Sequence, residues 1–346
     1  MSYKLKLFSD KIYLPKGKRY IPLLYPFWGY LDENRWSIEH NRFAEYFYVG
    51  STFFELVSPH EADVFVFPCE WSKEFTEVKA MAELAKLHGK KLLIFFNSDS
   101  DEEIEIENSI IFRTSFYKSS KKANEFALPG WSNDYLQVYS SGRIQLRNKN
   151  ELPKIGYAGY TDKLFKRSNY IIRFLKIILR RNKVIHKGAY LRGKAVEILL
   201  NSDKVKANFK LRNLSGSAAM KIYPHQKVLL FREEYVRNII DSDYTLVIRG
   251  GGNFSYRLYE VLSLGRIPIF INTDCVLPYD HLIDWKNFMV WIEEKDIDSI
   301  VLKINEFHKS LSNEQFKNLQ IQARELFEKW ISPTGFHSNI HKCIFY

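Results

Sequence analysis

Cysteine is scarce in this sequence: Cys69, Cys275 and Cys343 are odd in number, far apart and never in a CxxC pair. That excludes a disulfide framework and a cysteine-rich zinc site, and it suits a reducing compartment. Long apolar runs are missing as well. No stretch approaches the length that spans a bilayer, and the N-terminal MSYKLKLFSDK lacks the apolar segment of a secretory leader. There is no internal repeat, low-complexity tract, zinc-finger spacing, aromatic RNA-binding motif or arginine-rich tail. Apart from net charge, nothing points to nucleic acid, and no nucleic-acid partner is expected. These absences predict a soluble cytoplasmic chain, with room left for peripheral contact at the inner face of a membrane.

What is present fits two ordinary domains: 346 residues, 46% of them apolar. Aromatic residues reach 16%, a share that packs cores and also stacks on sugars or bases. Lysine and arginine outnumber aspartate and glutamate by 51 to 40. The excess suits a phosphorylated partner or an anionic surface, and equally a solvated basic exterior.

Short apolar runs punctuate the first part. Asp63 to Pro68 (DVFVFP) and Lys91 to Phe96 (KLLIFF) read as buried parallel strands. Between them Val78, Met81, Ala82 and Ala85 keep helical spacing up to Gly89, which completes a βαβ unit. The polar stretch 147–151 before Pro153 is the linker candidate. Beyond it KIGYAGY (Lys154 to Tyr160) reads as a strand. Asn169 to Arg181 reads as a helix with Arg173, Lys176 and Arg180 on one side, a face that suits anionic lipid or simply solvent. Val228 to Phe231 is apolar but of undecided type, and Tyr235 to Ile240 is helical. The expectation is an α/β chain of two doubly wound, Rossmann-like domains facing a cleft. Residues 1–150 form the first, 151–330 the second, and the tail 331–346 packs back on the first.

The densest signal is YTLVIRGGGNFSYRLYEVLSLGRIPIFIN, Tyr244 to Asn272. A strand delivers the chain to Arg249, followed by Gly250, Gly251, Gly252 and Asn253, and a helix begins near Ser255. Such a loop brings backbone N–H groups close to a ligand, and the helix N-terminus favours an anion. The spacing matches neither the Walker loop nor GxGxxG, so three glycines alone say little. The helix is apolar almost all round yet carries Arg257 and Glu260. A buried cation in the first turn opposes the helix dipole. Either a salt bridge to Glu260 or a bound phosphate would compensate, and the sequence leaves both open.

The run from Arg249 to Ile297 resembles the C-terminal signature of exostosin-like glycosyltransferases. It carries Arg249-Gly250, Arg257, Glu260, Gly265, Ile267-Pro268, Leu277-Pro278, Asp284-Trp285 and Glu294-Lys295-Asp296-Ile297 in order. Weaker echoes are Ala62 to Pro68, KIGYAGY, and Leu191 to Asn213 as an arginine-led helix with its return strand.

The resemblance implies the GT-B arrangement, with a nucleotide-sugar donor, commonly a UDP-sugar, held mainly by the second domain. It implies inverting transfer to a hydroxyl of a glycan or lipid-linked glycan, here in cell-surface polysaccharide synthesis. Arg249 and Arg257 would meet the diphosphate, with Gly250, Gly251, Asn253 and Ser255 lining the donor loop, Glu260 on the ribose, and Arg192 a further candidate. Fixed cations can serve the leaving diphosphate without a metal, so neither a metal nor a cofactor is expected. Glu70, directly after the strand DVFVFP, is the candidate general base, with a loop carboxylate as the alternative reading. Asp99-Ser-Asp101 mimics a metal-binding DxD but opens an acidic run and reads as a solvated loop. A different class of function, a catalytically silent nucleotide- or glycan-binding partner of another transferase, stays open.

Overall fold

The computed structural model describes residues 4–31, 41–161, 184–214 and 216–346. The run VFVFPCE has no charge until its last position, and it becomes strand β3 (Val64–Glu70), buried on both faces. Phe65 and Phe67 enter one core while Val64 and Val66 enter another, as a period of two demands. Around it run β1 (Leu5–Phe8), β2 (Phe54–Leu56), β4 (Leu92–Phe96), β5 (Ser109–Arg113) and β6 (Glu125–Ala127). The sheet is parallel throughout, in the order β2-β1-β3-β4-β5-β6. Helix α1 (Glu77–Leu87) connects β3 to β4, and Gly89 turns the chain at φ +66°, where a side chain would be strained. Strand β1 went unread in the sequence because LKLF is short and broken by a lysine.

Helix α2 (Tyr135–Ser140) crosses to a second unit, and Tyr135 lies in that unit's core. The polar stretch expected as a linker is pinned down rather than loose. The fully buried Asp243 carboxylate accepts from Arg147 Nε (2.8 Å), Asn150 Nδ2 (2.8 Å) and the Lys154 backbone N–H (2.9 Å). The second sheet is also all parallel: β7 (Lys154–Tyr160), β8 (Lys206–Arg212), β9 (Tyr244–Val247), β10 (Ile267–Asn272) and β11 (Val290–Glu293), in the order β11-β10-β9-β7-β8. On β10 Ile267, Ile269 and Ile271 face one core and Phe270 the other.

Its helices are α3 (Val184–Leu200), α4 (Gly216–Ile222), α5 (His225–Ile240), α6 (Tyr256–Ser263), α7 (Ile300–Ser310) and α8 (Asn313–Leu326). The apolar run Val228 to Phe231, undecided in the sequence, lies inside α5. The helix read over Asn169 to Arg181, with Arg173, Lys176 and Arg180, lies outside the described residues. After α8 the chain returns: α9 (Pro333–Asn339) and the residues behind it put Phe336, Ile340 and Cys343 into the first unit's core, beside Leu7 and Tyr46. The molecule is thus α/β, with two Rossmann-like units. Among the described residues no helix is long and apolar enough to cross a membrane.

Candidate functional site

In the second sheet β7 pairs with β8 on one side and β9 on the other, so the strand order reverses between β7 and β9. Crevices at such reversals, off the carboxyl ends of the strands, are where open α/β sheets hold ligands. A cavity of about 940 Å³ opens there, lined by both units. Gly159 and Tyr160 from the end of β7, Ile248, Gly250 and Gly251 after β9 and the first turns of α6 form one wall. Arg42, Asp99 and Trp131 to Asn133 from the first unit form the other. Among the described residues six cationic side chains line it, Arg42, Arg192, Arg212, Lys221, Arg232 and Arg257, against two carboxylates, Asp99 and Glu260. Such an imbalance draws an anion into the cleft.

The glycine loop is shaped by close neighbours. A methyl group added at Gly251 would sit 2.7 Å from Asp99 Oδ2, and one at Gly252 would sit 2.8 Å from Asp99 Cα. From behind, α3 approaches so closely that a Cβ on Gly188 would lie 2.5 Å from the Arg249 carbonyl oxygen. Arg249 itself is buried beneath the loop. It donates to the carbonyls of Gly251 (3.1 Å) and Gly252 (3.2 Å) and to the Tyr117 hydroxyl (3.1 Å) of the first unit. Asn253 is fully buried too. Its backbone N–H donates to Ser115 Oγ (2.9 Å), its amide to the Phe116 carbonyl (2.9 Å), and its side-chain oxygen accepts from Thr273. Both residues lock the loop to the first unit, and neither lines the cavity.

Arg257 does line it. The guanidinium lies 4.4 Å from the Tyr157 ring and 5.4 Å from the Tyr235 ring, and Nη2 donates to the Ala158 carbonyl at 2.8 Å. Burial works against its charge, but the Tyr235 and Tyr157 hydroxyls outweigh that and raise its pKa, so it stays protonated. Its Nε is buried and has no hydrogen-bond partner among the described residues. Glu260 does not pair with it. Glu260 Oε1 accepts from Tyr135 (2.8 Å) and Arg232 (3.2 Å), and Oε2 accepts from the Tyr235 hydroxyl. Three donors on four acceptor sites leave one lone pair, on Oε2. Of the two compensations open to Arg257 in the sequence, the Glu260 salt bridge is therefore not the one used; two aromatic faces and a carbonyl take its place.

Gly250, Gly251, Ser255, Arg257, Glu260 and Arg192 share this cavity. Arg192 spends only Nε on its own helix, at the Gly188 carbonyl (3.0 Å). Ser255 opens α6 without capping it through its side chain. Glu70 ends β3 with its carboxylate turned to the Asn97 backbone N–H at 2.7 Å, and it is not among the cavity's walls. Burial pushes this carboxyl up to about 7, against the Asn97 amide, which pulls it down. Arg113 is buried on Glu125 (2.8 Å) and the Glu102 carbonyl (2.9 Å).

Several lining residues escaped the sequence reading, among them four polar ones beside Arg257 and Glu260 or across the cleft. Arg232 and Tyr235 stand three apart on α5, a spacing that puts both on one side, but only the second half of that helix was legible. Tyr135 follows Asp134, whose carboxylate caps Leu136 and Gln137; that N-cap signal could have found α2 but not its destination. Arg42 carries no local signal. The Asp99–Asp101 acidic run does bring one residue, Asp99, to the cavity. Among the described residues no group of three or more His, Cys, Asp or Glu side chains is placed to hold a metal.

Residues 189–306 match the Exostosin GT47 domain. Exostosin-1 of Drosophila melanogaster is 30% identical over 99 residues, which are 29% of this chain and 12% of that protein. The Exostosin-1 homolog of Caenorhabditis elegans is 31% identical over 100 residues, 29% of this chain and 25% of that protein. The chain thus spans a quarter or less of the length of these relatives. A glycosyltransferase from Rickettsia africae ESF-5, of known crystal structure, aligns with 92% of this chain and 83% of its own at 11% identity and a TM-score of 0.36.

Proposed function

We propose that this exostosin-like glycosyltransferase, two Rossmann-like units in the GT-B arrangement, moves a sugar from a nucleotide-sugar, of the UDP type, to a glycan hydroxyl with inversion. The observation that carries the reading is the cationic wall at the strand reversal of the second sheet, to which Arg257 contributes a guanidinium kept protonated by its tyrosine neighbours.

In this reading the diphosphate lies against the Gly250–Ser255 loop and the start of α6, with Arg257 and Arg192 as its cations. Leaving-group charge then falls on fixed side chains and backbone N–H groups, with no metal required. The free lone pair on Glu260 Oε2 accepts a ribose hydroxyl, while Tyr135, Tyr235 and Arg232 hold the carboxylate in place. Arg249 and Asn253 act on the donor through the loop they lock. The acceptor, a surface glycan or its lipid-linked precursor handled on the cytoplasmic side, enters along the first unit.

A thermal-unfolding panel with UDP, GDP and CMP tests the donor site. Specific binding raises the transition by mass action, and UDP is expected to raise it most. No shift with any nucleotide at millimolar concentration would remove the basis of the proposal.

A further inference from the structure

We infer that Asp99, and not Glu70, takes the proton from the acceptor hydroxyl; this rests on the transfer reading above. Among the described residues only two carboxylates line the cavity, Asp99 and Glu260. Glu260 sits in the second unit and is already held by two tyrosines and an arginine. Asp99 comes from the first unit, is open to solvent, and abuts the glycine loop at Gly251 and Gly252. It therefore stands where the two walls meet, next to the loop assigned to the diphosphate. An acceptor entering along the first unit would pass it on the way to the donor.

A base must also be held still. The segment carrying Asp99 leaves β4 and is fastened at three points. Glu70 accepts from the Asn97 N–H (2.7 Å). Thr114 Oγ1 accepts from the Ser98 N–H (3.0 Å) and donates to the Ser98 carbonyl (2.7 Å). Ser98 Oγ then accepts from the Ser100 N–H at 3.1 Å. Asp99 lies between these anchored residues with its own carboxylate unspent on them. Glu70 is thus a positioning residue, acting on Asn97, two residues upstream of the group it serves.

The step balances without a further reactant. The acceptor proton passes to an Asp99 oxygen, and the hydroxyl's electron pair forms the bond to the anomeric carbon. The bond from that carbon to the phosphate oxygen breaks. Its pair leaves with the nucleoside diphosphate, whose new charge meets Arg257 and Arg192.

The test reads release of UDP from UDP-glucose, UDP-galactose, UDP-N-acetylglucosamine and UDP-glucuronate, with oligosaccharide acceptors, alongside stabilisation by UDP. Asp99→Asn is expected to lower turnover at least ~100-fold and leave the UDP shift intact. Glu70→Gln keeps an acceptor oxygen for Asn97 and is expected to stay within about tenfold of wild type, below the roughly 100-fold minimum that a lost acid–base group costs. Asp99→Asn turning over at the wild-type rate overturns the assignment. So does its losing the UDP shift together with turnover, which would make Asp99 a loop-packing residue. An acid limb of the pH–rate profile near 7 that vanishes in Glu70→Gln would return the role to Glu70. A wild-type protein that turns over no sugar nucleotide fails the transfer reading itself, a result separable from all of these.

Discussion

The Arg257→Ala variant removes a guanidinium wedged between the Tyr157 and Tyr235 rings and bonded to the Ala158 carbonyl. Two cation–π contacts at ~0.5–1 kcal/mol each are lost from the fold. The Ala158 carbonyl borders the cavity and can turn to water, and a buried Nε without a partner disappears, so the net cost to the unliganded protein is about 1 kcal/mol. The cost to a bound diphosphate is larger. A charge-assisted hydrogen bond is worth about 1.5–3 kcal/mol, hence a Kd roughly 10- to 150-fold higher. With UDP at about a hundred times the wild-type Kd, mass action stabilises the wild type by about 2.7 kcal/mol. A hundredfold weaker variant at the same concentration keeps only about 0.4 kcal/mol. Thermal unfolding with and without UDP reads both numbers. A small drop in the unliganded transition with collapse of the UDP shift is expected, and Arg257→Lys, which cannot reproduce the planar fork, should fall between. An undiminished UDP shift in Arg257→Ala would refute the reasoning and leave the arginine as a wedge between tyrosines.

Gly159→Ala places a Cβ 2.8 Å from Arg257 Nη2 on a backbone at φ +159°, which L side chains rarely adopt; both stability and UDP affinity should fall, as paired unfolding and titration would register. Gly188→Ala instead meets backbone, the carbonyls of Arg249 and Gly250 at 2.5 and 2.6 Å, and should cost about 1–3 kcal/mol in denaturant unfolding besides weakening UDP binding. Glu70 gives a pH signature. Its carboxyl is raised from 4.5 to about 7, so across that window the folded protein keeps a proton the unfolded chain releases. The stability this contributes is whole below 4.5 and is lost as pH rises through about 7. Glu70→Gln never ionises and should gain roughly 1–3 kcal/mol over wild type at pH 8 and almost nothing at pH 4; equal differences at both pH values would disprove the shift.

The sheets were legible because their central strands are buried on both faces and read as unbroken apolar runs. The strands read at DVFVFP, KLLIFF and KIGYAGY are all found, the first two with ends shifted by one or two residues. β1 stayed hidden because an edge-ward strand of four residues with two lysines around it carries little pattern. At the site, Arg257 and Glu260 stood out through a conflict visible locally, charges on a buried helix. Its resolution was not local. The partners Tyr135, Arg232 and Tyr235 arrive from α2 and α5, and no periodicity says which helix will meet which. Arg249 and Asn253 show the reverse: they sit in the most recognisable segment, yet their side chains turn beneath the loop, because an Arg-Gly-Gly-Gly turn exposes carbonyls that the arginine itself satisfies.

The return of α9 has a consequence for how the protein is made. Phe336, Ile340 and Cys343 complete a core whose strands, from β1 to β6, leave the ribosome long before them. The whole second sheet is synthesised in between. The first unit therefore waits with an open apolar face while the second folds, which reverses the usual order in which domains close as they emerge. During that interval Tyr46 and Phe112 stay uncovered where His337 and Phe336 will later pack. A nascent chain stalled before residue 333 should hold a compact second unit joined to a first unit that still binds chaperones.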